Sequence, residues 1–280
     1  MKVFISADIE GCTGLVSWSQ CSRPDGKSYD YEFARRMMTH DVNSAIRGAW
    51  AAGAGEIVVK DSHGNSKNLL IDQLEPGVSL ISGHGAGKDG MVTGIDESFD
   101  ALFMVGYHAM AGTGSGVMEH TIIGGITGMW VNERPCGEIG LAAGVAGHYG
   151  VPLALITSDD LGCREAIDLI PGMETAVTKT GIGRYMANLD HPSYTGPKIE
   201  AAAADAIRKA KQIPPFRWDE PSTVRIAFGR SEQADKCELV PGVVREDGLT
   251  ISFAGENYLE AHRMVWAMMS MQSAGLDAQW

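Results

Sequence analysis

No apolar run in the chain approaches the roughly 18 residues that a membrane-spanning helix needs, so an integral helical membrane protein is not expected. No basic segment followed by an apolar stretch opens the sequence, which argues against a secretory leader. Basic residues are scarce: 23 Lys+Arg stand against 35 Asp+Glu, for a formal charge of −12. That balance excludes a broad nucleic-acid or anionic-membrane surface, and it suits a protein whose carboxylates hold cations. Cysteine is sparse too. Cys12, Cys21, Cys136, Cys163 and Cys237 are odd in number, widely spaced and never in a CxxC arrangement. Inert reduced thiols in a cytoplasmic protein fit this pattern, and a disulfide framework does not. The nucleotide-binding glycine motifs are also missing. Gly83–Asp89 lacks the GxxxxGK[ST] spacing and reads as a turn. Gly112–Gly116 is neither GxGxxG nor GxSxG, so it supports neither a dinucleotide site nor a serine-hydrolase elbow.

What is present is an ordinary globular composition, 44% hydrophobic and 21% charged over 280 residues, enough for one large or two modest domains. Val3–Ala7, Glu56–Asp61, Val78–Ser82, Ala101–Val105 and Pro152–Thr157 are short apolar runs with turn signals at their ends, the pattern of buried strands. Between the first two, Met38, Val42, Ala45, Ile46 and Ala49 recur at helical spacing, with Gly53 as a stop. Strand, helix, strand is a βαβ unit. A small-residue helix over Ile139–His148 and a helix capped by Ser158–Asp160 and running to Ile170 continue the theme. The expected fold is α/β: a mostly parallel sheet flanked by helices over residues 1–175. A smaller α+β part over 176–280 is expected from a helix near 199–212, strands at Thr223–Phe228 and Leu249–Phe253, and a last helix. Tyr258, Ala261, Val265, Met268 and Met269 form the packing stripe of that helix. The polar loop over 12–31, with Pro24-Asp25-Gly26, is placed to cover a site.

The chemistry concentrates where the strands end. Asp8 and Glu10 stand two residues apart after the first strand, so they point to one face. Two adjacent carboxylates repel unless a cation or a shared proton lies between them. Taken alone the pair is weak evidence and reads first as a solvated strand end. His63, His108 and Glu138 follow the next strands or open a helix, and a parallel sheet would bring such ends together. Imidazole mixed with carboxylate suits zinc or another first-row divalent ion. Five ligands exceed one open catalytic site and fit two ions with a bridging carboxylate. His40, His84, His148, His191 and His262 have no such context and read as structural or surface residues.

Asp8-Ile9-Glu10-Gly11, Asp61-Ser62-His63, Gly106-Tyr107-His108-Ala109, Gly116-Val117-Met118-Glu119-His120 and Asn132-Glu133-Arg134-Pro135-Cys136-Gly137-Glu138 together resemble the motifs of the D-aminopeptidase DppA family of zinc peptidases. The resemblance implies two zinc ions per subunit. Asp8 would bridge them, with Glu10 and His63 completing one site and His108 and Glu138 the other. It implies that His120 is the catalytic histidine, outside the metal shell. It also implies a ring-shaped homo-oligomer acting on short peptides or amides with an amino-terminal D-residue. Other readings stay open at the level of the residues. One is a different di-metal hydrolase: an L-aminopeptidase, an amidase, or a phosphoesterase. The phosphoesterase wants basic side chains converging on phosphate, and only Arg134 lies within the motifs. Another is a non-enzymatic metal-binding assembly protein, which needs no His120. Asp159 and Asp160 are candidates either for capping a helix or for holding a substrate ammonium.

Overall fold

The computed structural model describes residues 1–21, 29–85 and 88–273. The turn expected at Pro24–Gly26 and part of that at Gly83–Asp89 lie outside these residues. Strand β1 (Lys2–Ala7) is buried throughout Val3–Ala7. A short helix α1 (Trp18–Cys21) interrupts the following loop. Helix α2 (Tyr29–Ala51) turns Met38, Val42, Ala45, Ile46 and Ala49 fully inward, as their spacing requires. It ends before Gly53, whose φ of 94° an L side chain resists. Strand β2 (Glu56–Asp61) pairs parallel with β1, Ala7 opposite Asp61. Strands β3 (Ser79–Ile81) and β4 (Ala101–Val105) follow.

The chain then leaves this sheet. Strand β5 (Ile126–Val131) and the two-residue β6 (Arg134–Pro135) belong to a second, antiparallel sheet. Helix α3 (Glu138–His148) returns the chain to the first sheet at β7 (Leu153–Asp159). Helix α4 (Asp160–Leu169), β8 (Glu174–Gly183) and β9 (Met186–Leu189) complete that sheet. Helix α5 (Pro192–Lys209) starts seven residues before the expected Ile199, because Pro192 suits a first turn and His191 caps it, accepting from the Ser193 N–H. Strand β10 (Ser222–Phe228), α6 (Ser231–Cys237), β11 (Val244–Arg245), β12 (Thr250–Gly255) and α7 (Tyr258–Ser273) finish the chain. The stripe Tyr258, Ala261, Val265, Met268 and Met269 on α7 is buried.

The larger sheet has seven strands in the order β3-β2-β1-β4-β7-β8-β9, parallel except for the β8–β9 hairpin, and the smaller has the order β11-β12-β10-β5-β6. This is the expected mostly parallel sheet with helices, joined to a smaller antiparallel one. Residue 175 lies inside β8, within the larger sheet. Helices α2 and α5 pack together, while α3 touches both α4 and α7. From β1 the chain moves outward through β2 to β3, then comes back to β4 on the other side of β1. The β1–β4 boundary is therefore a topological switch point, where the connecting loops diverge and a crevice opens at the carboxyl ends of the strands.

Candidate metal centre

Asp8 and Glu10 leave the end of β1, His63 the end of β2, and His108 the end of β4. Glu138 is the first residue of α3, and His120 lies in the long loop before β5. The β1 and β4 loops run back to back across the switch point. The Asp8 N–H donates to the Val105 carbonyl and the Gly11 N–H to the Gly106 carbonyl, each at 2.8 Å. Any β-carbon at Gly11 would sit 1.7 Å from the Tyr107 carbonyl oxygen, and one at Gly106 (φ 76°) would meet the Asp8 oxygen at 2.4 Å. Glycine at both positions is what lets Asp8 and His108 meet.

Each of the three histidines has one nitrogen tied to a backbone carbonyl: His63 Nε2 to Cys21 at 2.9 Å, His108 Nδ1 to Ala109 at 3.0 Å, His120 Nδ1 to Met118 at 2.9 Å. A carbonyl only accepts, so these nitrogens carry the proton and the opposite nitrogens face the cluster. His63 Nδ1 lies 3.1 Å from Asp8 Oδ1 and 3.2 Å from Glu10 Oε2. His108 Nε2 lies 3.5 Å from Asp8 Oδ2 and 3.3 Å from Glu138 Oε1, and His120 Nε2 lies 3.7 Å from that same oxygen. The His120 ring stacks on His108 with centroids 3.9 Å apart, and Trp18 meets its other side edge-on at 4.8 Å. Met118 and Ile122, two residues either side of His120, both have positive φ, 53° and 64°. For a β-branched residue such as Ile122 that is a strained backbone. The strain turns its N–H onto Glu138 Oε1 at 2.6 Å.

Charge in this cluster is concentrated and buried. Burial opposes a proton on His63 and His108, but Glu10 and Asp8 around the first, and Glu138 and Asp8 around the second, hold both imidazoles well above their ordinary value. Burial likewise raises Asp8, and the neighbouring imidazoles of His108 and His63 outweigh it and hold the carboxyl well below its usual range. His120 is lowered instead, first by burial and then by His108. The environment thus calls for positive charge between Asp8, Glu10, His63, His108 and Glu138, and keeps His120 neutral.

Both oxygens of Glu10 and the Nε2 of His108 are buried without a hydrogen-bond partner among the described residues. Such orphans are costly, and a cation removes the cost. Two triads, Asp8–Glu10–His108 and His108–His120–Glu138, each bring their ligand atoms within 4.8 Å of one another. The triads share His108, but an imidazole whose Nδ1 is protonated has one lone pair and ligates one ion. Asp8 turns Oδ1 to the His63 side and Oδ2 to the His108 side, so its carboxylate is the group able to bridge. The oxygen and nitrogen donor set fits zinc. His120 Nε2 belongs to the second triad, with its ring against that of His108.

Further contacts hold these loops in place. The fully buried Lys179 donates to the carbonyls of Glu10, Cys12 and Leu15 at 2.5, 2.8 and 2.7 Å. Asp61 accepts from the Asn68 and Leu69 N–H groups, and Asn68 Nδ2 donates to the His63 carbonyl. Glu165, which burial pushes up to about 7, accepts the Met110 N–H two residues past His108. Asp159 caps α4 through Gly162 and also accepts from Val117, while Asp160 accepts from Gly181, so both carboxylates are engaged in structure. Arg134 is exposed and donates to the Asp168 carbonyl, away from the cluster. Burial pushes the thiols of Cys12 and Cys136 well above their ordinary range, which makes them inert.

Asp8, Glu10, His63, His120 and Glu138 line a cavity of about 1170 Å³ that extends to α7. Trp18 also lines it, so the loop after β1 does reach the site. Sequence reasoning missed Trp18, Lys60 and Lys179. A lysine inside an apolar strand, as in both Val58-Val59-Lys60 and Ala176-Val177-Thr178-Lys179, was the available signal.

The model of the D-aminopeptidase family matches residues 1–267. A D-aminopeptidase from Bacillus subtilis (strain 168) is 34% identical over 272 residues, 97% of either chain. The solved structure of the "Zn-dependent D-aminopeptidase DppA from Bacillus subtilis, a self-compartmentalizing protease" superposes with a TM-score of 0.92, at 34% identity and 98% coverage of both chains. With the family model spanning nearly the whole chain, and this cluster at its switch point, the protein belongs to the D-aminopeptidase family.

Proposed function

We propose that this protein is a two-zinc aminopeptidase that removes an amino-terminal D-residue from short peptides or amides. The observation that carries the reading is the buried, doubly grouped ligand cluster with its orphaned Glu10 carboxylate, opening into a cavity of peptide size. Asp8 as the bridge, Glu10 with His63 on one side, and His108 with Glu138 on the other would hold the ions. Zinc held there would supply Lewis-acid polarisation of the scissile carbonyl. The remaining work falls to the chain. His120, kept neutral and fixed through its Nδ1–H, presents Nε2 to the reacting centre and moves the proton from the attacking group to the departing amine. Trp18 and the buried wall behind His108 exclude water from the imidazole stack. Arg134, the one basic residue within the motifs, is engaged with the Asp168 carbonyl and does not line the cavity. A hydrolysis panel of paired D- and L-aminoacyl substrates tests the reading. The D-member of each pair should be cleaved faster, with all cleavage abolished by chelator and restored by zinc. Equal rates for both, or chelator-resistant cleavage, would refute it.

The assembly belongs to the same proposal. β9 is an edge strand, and Ile182, Tyr185, Met186, Leu189 and Tyr194 on and around its hairpin are exposed apolar side chains. Exposed patches of this kind mark interfaces, and the neighbouring structure is that of a self-compartmentalizing protease. We therefore expect a ring-shaped homo-oligomer. Light scattering at dilute concentration should give a mass several times the monomer's 29.9 kDa; a fully active monomer would contradict it. No helix of the described residues is long and apolar enough to cross a membrane, and the five buried free cysteines suit a cytoplasmic setting.

A further inference from the structure

Lys60 is the only lysine or arginine among the described residues that line the large cavity. It lies near the end of β2, three residues before His63, and is 6% exposed. Its Nζ donates to the Asp61 carbonyl and, at 3.1 Å, to Ser66 Oγ. An ammonium has three donors, so one remains. No carboxylate among the described residues pairs with it. The Asp61 carboxylate is taken by Asn68 and Leu69. Burial pulls Lys60 below the ordinary lysine value, against the pull of Asp61. A buried cation without a counter-ion is costly, and here it faces a cavity whose other charged walls, Asp8, Glu10 and Glu138, are committed to the metal cluster.

Resting on the proposed function, a substrate entering this cavity places its amino end and scissile carbonyl at the cluster and extends its remaining residues along the wall. For a short peptide, the group that ends this extension is an α-carboxylate. We propose that Lys60 binds the carboxyl-terminal carboxylate of the substrate, so that the enzyme selects short peptides with a free carboxyl end over amides, esters and long chains. The third N–H of Lys60 supplies a charge-assisted hydrogen bond to that carboxylate.

The test compares D-alanyl di-, tri- and tetrapeptides as free acids and as carboxyl-terminal amides, in the zinc-loaded wild-type protein, in Lys60→Met and in Lys60→Arg. For at least one peptide length, wild type should favour the free acid by roughly 10-fold or more in kcat/KM, the size expected for one ionic hydrogen bond. In Lys60→Met that acid-to-amide ratio should fall toward one, mostly through KM for the acid, and Lys60→Arg should retain part of it. Equal wild-type rates for acid and amide at every length would overturn the assignment whether or not Lys60→Met folds. So would an unchanged ratio in a folded Lys60→Met. If neither acids nor amides are cleaved, the aminopeptidase reading itself falls, and this inference with it; a flat ratio with active enzyme removes only Lys60.

Discussion

Asp8→Ala is expected to strip both ions together and to cost about 10³-fold or more in turnover, since Lewis-acid polarisation is worth several kcal/mol and each ~1.4 kcal/mol is tenfold. The expectation follows from its two oxygens, one directed at His63 and the other at His108. His63→Ala should instead weaken one ion, because His63 touches only Asp8 and Glu10 in the cluster. His108→Ala should also weaken one, because its single free nitrogen serves one ion. Elemental analysis of the purified variants distinguishes these outcomes. Two zinc ions retained per chain in Asp8→Ala would sink the bridging assignment.

His120→Ala should fold, keep most of its zinc and lose roughly 10²–10⁴-fold in kcat, the span of general acid–base catalysis. The geometry makes this a demanding test. Its Nε2 is 3.7 Å from Glu138 Oε1 and its ring stacks on His108, so a metal-ligand role is the competing account. That account predicts zinc loss and a lowered melting temperature in step with lost rate. Zinc content, melting temperature and turnover measured on one preparation separate the two. Turnover within a few-fold of wild type at full metal content would remove His120 from catalysis.

The first half of this fold is legible because its strands are buried on both faces and therefore read as apolar runs with glycine stops: β1, β2 and β4 lie within a residue of the expected spans. Of the second sheet, β10 and β12 lie close to the expected spans, while β5 was harder to see. β5 carries Gly128, over which Trp130 folds: a β-carbon there would meet its ring at 2.4 Å. A strand interrupted in that way loses its apolar signature. β8 hides for a different reason. It contains Lys179, whose charge suggests surface but whose three carbonyl contacts bury it completely. Ligand types at strand ends were readable from sequence, since Asp8, Glu10, His63, His108 and Glu138 sit at element boundaries and period two places the first pair on one face. Their convergence along one edge was expected of a parallel sheet; which of them become neighbours was not, because that depends on strand order, and the adjacency of β1 and β4 is a property of topology. The placement of His120 depends on left-handed backbone at Met118 and Ile122, non-glycine positions where no residue type announces it. Lys60 carried a signal as a lysine inside an apolar strand, but a role for it needs the cavity that the fold supplies.

The most direct test of the two-ion centre is anomalous diffraction from zinc-loaded crystals at the zinc absorption edge. The account predicts two peaks per chain at the end of β1, one contacting Glu10 and His63, the other His108 and Glu138, with Asp8 reaching both. A single peak, or two peaks of which Asp8 contacts only one, would contradict it.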